Sequence, residues 1–184
     1  MKKMMLAVSI AASSLLVSAT TLADTCRYTT IERSHPLGQY LDNKDGTVTD
    51  IVNGLMWQTC SLGQQYTGSE CADVPTNFPD FRVALLDAAD QASFAGYDDW
   101  RLPNIKELGS LVERACFAPA IDLTVFPSTP LAIYWSNTPD SSGVNDFMFL
   151  EARVIDFTDG TEYAKDATKM RLIRMVRDLK TTTN

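Results

Sequence analysis

The stretch DNKDGTVTD, residues 42–50, crowds oxygen-bearing side chains around one glycine. Such a stretch either cages a calcium ion between two helices or turns the chain between two strands, and the choice fixes the fold class. A helix–loop–helix calcium loop sets its glycine sixth and a bidentate Glu twelfth. With Gly46 sixth, the first position falls on Leu41 and the last on Val52, neither of which ligates a cation. The flanks instead read as strands: QYLDN before Asp45-Gly46, TVTDIV after it, then Asn53-Gly54 before LMWQ. Asp-Gly and Asn-Gly pairs serve where a hairpin needs positive φ. The reading is two hairpins with no cofactor assigned, and a non-helical calcium site made by carboxylates on adjacent turns stays as the alternative.

Further along, the period changes. Residues 61–79 are polar and turn-rich, the pattern of a pinned loop. From Phe81 to Phe94 the spacing predicts a helix capped by Asp80 and stopped by Gly96, with Val83, Ala84, Leu85, Leu86, Ala88 and Ala92 as its apolar face. NIKELGSLVERAC, residues 104–116, predicts a second helix: Asn104 and Glu107 have capping-box spacing, and Ile105, Leu108, Leu111, Val112 and Ala115 form one stripe. Strand signals return in AIYWSNT, FMFLEARVIDF, TEYA and MRLIRMVR, with Asp159-Gly160 repeating the hairpin logic and a long exposed loop expected between Pro139 and Asp146. Strands on either side of two central helices indicate an α+β fold, the helices packed on antiparallel β-hairpins.

The start of the chain has the layout of a secretory signal over residues 1–23. Lys2 and Lys3 give the positive end, a serine-interrupted apolar run follows, and Thr21-Leu22-Ala23 suits cleavage. That run is too broken to span a bilayer, and the residues before Cys26 lack a lipid-attachment approach. One domain, 24–184, is expected to be exported to the periplasm, the cell surface or the medium. Losing Lys2 and Lys3 leaves 14 of 16 basic residues against 23 acidic ones, a net charge of −9. Such a surface repels nucleic acid.

Four cysteines in an oxidising compartment point to a disulfide brace. Zinc would want closer pairs, and His35 is the single histidine. The preferred pairing is Cys60–Cys71, closing a short loop worth about 3 kcal/mol, and Cys26–Cys116, tying down the N-terminal end.

The phrases DNKDGTVTDIVNGLMWQ, FAGYDDWRLPNIKELGSLVERAC, AIDLTVFPSTPLAIYWSNTP, VIDFTDGTEY and MRLIRMVR, in that order, resemble the Legionella collagen-like protein (Lcl) C-terminal domain family, from about Cys26 to Asp178. Met170 stands where that family commonly has Tyr. The resemblance implies a secreted or surface module with a C-type-lectin-like fold. In the founding adhesin such a module helps bind sulfated glycosaminoglycans and trimerises behind a collagen-like stalk. This sequence has no collagen-like repeat, so the oligomeric state is left unassigned, and its acidity argues against carrying over polyanion binding.

A local basic patch has one candidate, Arg171, Arg174 and Arg177, near Lys165, Lys169 and Lys180. Strand alternation puts Arg171 and Arg177 with Ile173 and Met175, and Arg174 with Leu172 and Val176. The plainer reading is a terminal strand whose arginines pair with carboxylates; the sharper one is a groove for anionic ligands. Asp98, Asp99, Arg101 and Glu107 could pair carboxylates for acid–base work, but capping and turn-pinning account for them better. Ser136 has only His35 as a base, and His35 reads as a loop residue. Tyr134, Trp135, Phe147, Phe149 and Trp57 could stack a sugar, while Trp57, Trp100 and Trp135 read as core. The resulting expectation is a non-catalytic recognition module for a glycan or another surface ligand. A structural component that packs with an envelope protein is the alternative, and a hydrolase ranks last.

Overall fold

The computed structural model describes residues 26–140, 152–164 and 171–180. The signal segment, residues 141–146 of the expected loop, the strand start at 147–151 with Phe147 and Phe149, and Lys165 and Lys169 all lie outside the described residues. The architecture is α+β and mostly strand. Strands β1 (Tyr40–Asp42), β2 (Thr47–Asp50) and β3 (Leu55–Gln58) follow one another antiparallel, so residues 42–50 do turn the chain between strands. Gly46 has φ 87°, and the turn closes through Asn43 N–H to the Thr47 carbonyl at 3.1 Å. Next come the short β4 (Gln65–Tyr66) and β5 (Cys71–Ala72) ribbon, helix α1 (Phe81–Asp90) and helix α2 (Ile105–Gly109). Strands β6 (Ile133–Pro139), β7 (Ala152–Asp156), β8 (Thr161–Ala164), β9 (Arg171–Leu172) and β10 (Val176–Asp178) complete the described elements.

Two four-stranded sheets result, in the orders β1-β2-β3-β10 and β8-β7-β6-β9. The segment MRLIRMVR, predicted as one strand, belongs to both. Its first part runs parallel to β6 and its last part antiparallel to β3. Between them the Ile173 and Met175 carbonyls accept from Leu62 and Gln58 N–H. The alternation still holds: Leu172 and Val176 enter one core cluster, with Trp57, Tyr134 and Phe157, while Ile173 and Met175 enter the other, with Trp100 and Trp135.

Both helices are shorter than their patterns predict. Asp80 caps α1 as expected, accepting from Arg82 and Val83 N–H, but the helix stops at Asp90, and its buried residues are Phe81, Ala84 and Ala88. Val83, Leu85 and Leu86 of the predicted apolar face are exposed. The capping box at Asn104 and Glu107 is complete, yet the helix ends at Gly109. Ser110 turns its hydroxyl onto the Glu107 carbonyl at 2.7 Å, and side chains that bond nearby backbone in this way compete with helix continuation. Leu108, Leu111, Val112 and Ala115 are buried all the same, so beyond Leu108 the predicted stripe faces the core through turns rather than helix.

The expected disulfides, Cys26–Cys116 and Cys60–Cys71, are both closed, the chemistry of a chain that folds in an oxidising compartment. Among the described residues, no helix is long and apolar enough to cross a membrane.

Candidate functional site

Arg171, Arg174 and Arg177 are all buried, at 6%, 0% and 3% exposure. Each is held differently. Arg171 donates to the Pro79 carbonyl at 3.2 Å and lies 4.7 Å over the Trp135 ring. Arg177 forms a fork with Asp99, at 2.6 and 3.0 Å, beneath the Tyr97 ring. That fork raises the arginine's pKa and lowers the carboxylate's. Arg174 donates to the Gln58 and Thr59 carbonyls and to the Thr129 hydroxyl, between the Phe126 and Tyr134 rings. Burial pushes its pKa down. The sequence pattern placed the three on their correct faces and missed that both faces are covered. Their guanidiniums serve the interior rather than forming an open anion patch.

Most of the other polar candidates are also occupied. Arg101 grips Glu107 at 2.9 and 3.0 Å and Asp178 at 2.8 Å, which raises its pKa; the role is the turn-pinning one expected for it. Asp98 is exposed. Ser136 donates to the Arg153 carbonyl at 2.7 Å. His35 Nε2 lies 2.6 Å from the Ser110 carbonyl, with Nδ1 3.4 Å from Glu113, so no hydrogen bond joins it to Ser136. Trp57, Trp100, Trp135 and Tyr134 are core. At the opening stretch, Asp42 accepts from Lys44 backbone and ammonium, Asp45 from Thr47, and Asp50 from Gln39, Val52 and Asn53. The oxygens shape turns. Among the described residues no group of three His, Cys, Asp or Glu could hold a metal ion.

What the patterns did not reveal is a groove of about 650 Å³ beside the Cys26–Cys116 disulfide. One wall is polar. The Arg33 guanidinium sits 3.4 Å over the Tyr28 ring and 3.4 Å from Asp122, and the Tyr28 hydroxyl donates to Asp122 at 3.3 Å. Burial, with the charges of Asp122 and Glu113, pushes the Tyr28 hydroxyl up to about 12, so it keeps its proton and remains a donor at neutral pH. The other wall is apolar, from Leu123, Pro127, Pro130 and the exposed Leu131. Arg27 N–H bonds the Ala115 carbonyl at 2.7 Å next to the disulfide, which clamps the two loops that make the groove. The groove brings together residues about 90 positions apart, so no local pattern announces it.

The family model described as the Lcl C-terminal domain matches residues 46–177. Comparison with curated proteins and with solved structures gives no match.

Proposed function

Because the chain belongs to the Lcl C-terminal domain family, we propose that it is an exported, non-catalytic recognition module of C-type-lectin-like architecture that binds a glycan or another surface ligand. The observation that carries this reading is the two-walled groove at Cys26–Cys116. It offers a hydroxyl, a guanidinium and a carboxylate on one side and apolar contact on the other, on loops held by a covalent link. Binding sites commonly combine apolar lining with a few placed polar groups, and preorganised loops lose less entropy on binding. The structural bonds that occupy Ser136, Arg101 and Glu107 support the non-catalytic part. Ser136, Arg101 and Glu107 are each committed to backbone or to one another.

A glycan array probed with the protein, both disulfides closed, tests the reading. Binding is expected, and Arg33→Ala or Leu131→Ser, at residues with exposed side chains, is expected to weaken it. Absence of binding to every glycan, together with capture of an envelope protein, would favour the structural alternative. Turnover of an ester or glycoside panel would overturn the non-catalytic assignment.

A further inference from the structure

A second recess, of about 300 Å³, lies on the other disulfide loop, at the tip of the first hairpin. Gly46 forms part of it, with the Phe94 and Tyr66 rings close by; a Cβ on Gly46 would stand 3.0 Å from Phe94 and 3.2 Å from Tyr66. Both rings are partly open to solvent. Three glutamines, Gln58, Gln64 and Gln65, and Asp45 supply the polar lining.

Gln58 is the telling residue. It is 7% exposed, its backbone is fixed in β3, and its carbonyl accepts from Arg174. Among the described residues its side-chain amide has no hydrogen bond, although it lines the recess. Both ends of this amide are thus left to bond whatever occupies the recess. Asp45 Oδ1 is taken by Thr47, leaving Oδ2 with no donor among the described residues. Gln65, exposed, likewise offers a side-chain amide with no hydrogen bond among them. No Lys or Arg lines the recess.

We propose that this recess is a subsite for one uncharged pyranose ring. The chemistry fits on three counts. Each amide both donates and accepts, as each sugar hydroxyl does, and a free carboxylate oxygen takes a further hydroxyl proton. Partly open Tyr and Phe rings offer apolar faces to the C–H side of the ring. A sulfate or carboxylate would meet Asp45 with no lining cation, so the recess selects against charged sugars. The assignment rests on the recognition reading and gives it a second place and a ligand class.

The test is NMR of the isotope-labelled protein, both disulfides closed, titrated with methyl glycosides of neutral hexoses and with a sulfated disaccharide. Saturable shifts of the Gln58 and Gln65 side-chain amides and of the Tyr66 ring are expected with the neutral glycosides only. Gln58→Leu is expected to weaken binding by about tenfold, the loss of one to two neutral hydrogen bonds. Gln65→Ala, at an exposed position where the fold is indifferent, is expected to weaken it several-fold. Leu37→Ser, at an exposed position that lines neither recess, leaves it unchanged. Equal shifts with glycerol, preference for the sulfated sugar, or unchanged binding in both glutamine variants would overturn the subsite. Glycan-array binding with no response in this recess would also overturn it while leaving the recognition reading intact. No sugar response anywhere and no array binding would overturn both.

Discussion

Arg174 is a cation with no exposed surface, held by two carbonyls, a hydroxyl and two aromatic rings. A guanidinium stays charged even where burial opposes it, and neutral acceptors must then replace its water. Removing the cation would orphan the Gln58 and Thr59 carbonyls it joins. Arg174→Met keeps length and apolar bulk but no donor, and is expected to destabilise the fold by about 3–5 kcal/mol, read from the urea midpoint. A loss below about 1 kcal/mol would show that the core does not depend on it. The cue was present in MRLIRMVR: apolar residues fill both alternating faces, as in strands covered on both sides, whereas the arginines alone suggested surface. Glu113 is a buried carboxylate held in the same way by backbone donors. Burial pushes its pKa up, but Ser34 and Ala115 N–H and the charge of His35 outweigh it, so the net shift is below 4.5. The unfolded chain then binds the proton more readily. Stability from Glu113 is full above about pH 4.5 and lost as pH falls through the lower folded value. Acid unfolding curves should therefore steepen below pH 4.5, and the Glu113→Gln variant should lose that part of the slope.

The Asp159-Gly160 turn shows how an element can be read locally yet fixed by distant packing. Gly160 has φ 78°, and a Cβ there would stand 2.5 Å from Val112 Cγ1. Gly54, in the β2–β3 turn at φ 67°, has nothing within 4 Å. Gly54→Ala should therefore cost about 1–2 kcal/mol, the left-handed penalty alone, and Gly160→Ala about 2–4 kcal/mol, with overpacking added. Equal midpoints for the two variants in chemical denaturation would contradict the packing of this turn on α2's exit. Both turns were legible because the dipeptides carry their own conformational preference. Helix starts were legible for the same reason: Asp80 and Asn104 cap where their spacing says. The end of α2 was not, because it depends on Ser110 and Glu113 finding backbone partners, the latter Ser34 N–H about 80 residues away. The face of α1 was misread because Val83, Leu85 and Leu86 outnumber the small Ala84 and Ala88 that actually pack.

The two disulfides staple different recesses to one body. The pairing was legible from cysteine count and spacing, while the sheet order was not, since the closing segment links two sheets through contacts with β3 and β6 far back in the chain. Cys26–Cys116 spans 90 residues and Cys60–Cys71 only 11. In the chain-entropy model the first contributes about 4.5 kcal/mol and the second about 3. Replacing Cys26 and Cys116 together by Ser should therefore lower stability more than replacing Cys60 and Cys71, by roughly 1.5 kcal/mol. Function should separate along the same line. Without Cys26–Cys116 the segment carrying Tyr28 and Arg33 loses its covalent hold on the loop carrying Asp122, so the groove should loosen while the recess at Gln58 persists. Without Cys60–Cys71 the β4–β5 ribbon bearing Gln65 and Tyr66 is freed, and the order reverses. Hydrogen exchange on the two double variants reads this directly. Loss of protection at both recesses in either variant would mean that the staples act on the fold as a whole, and that neither loop is a separately braced site.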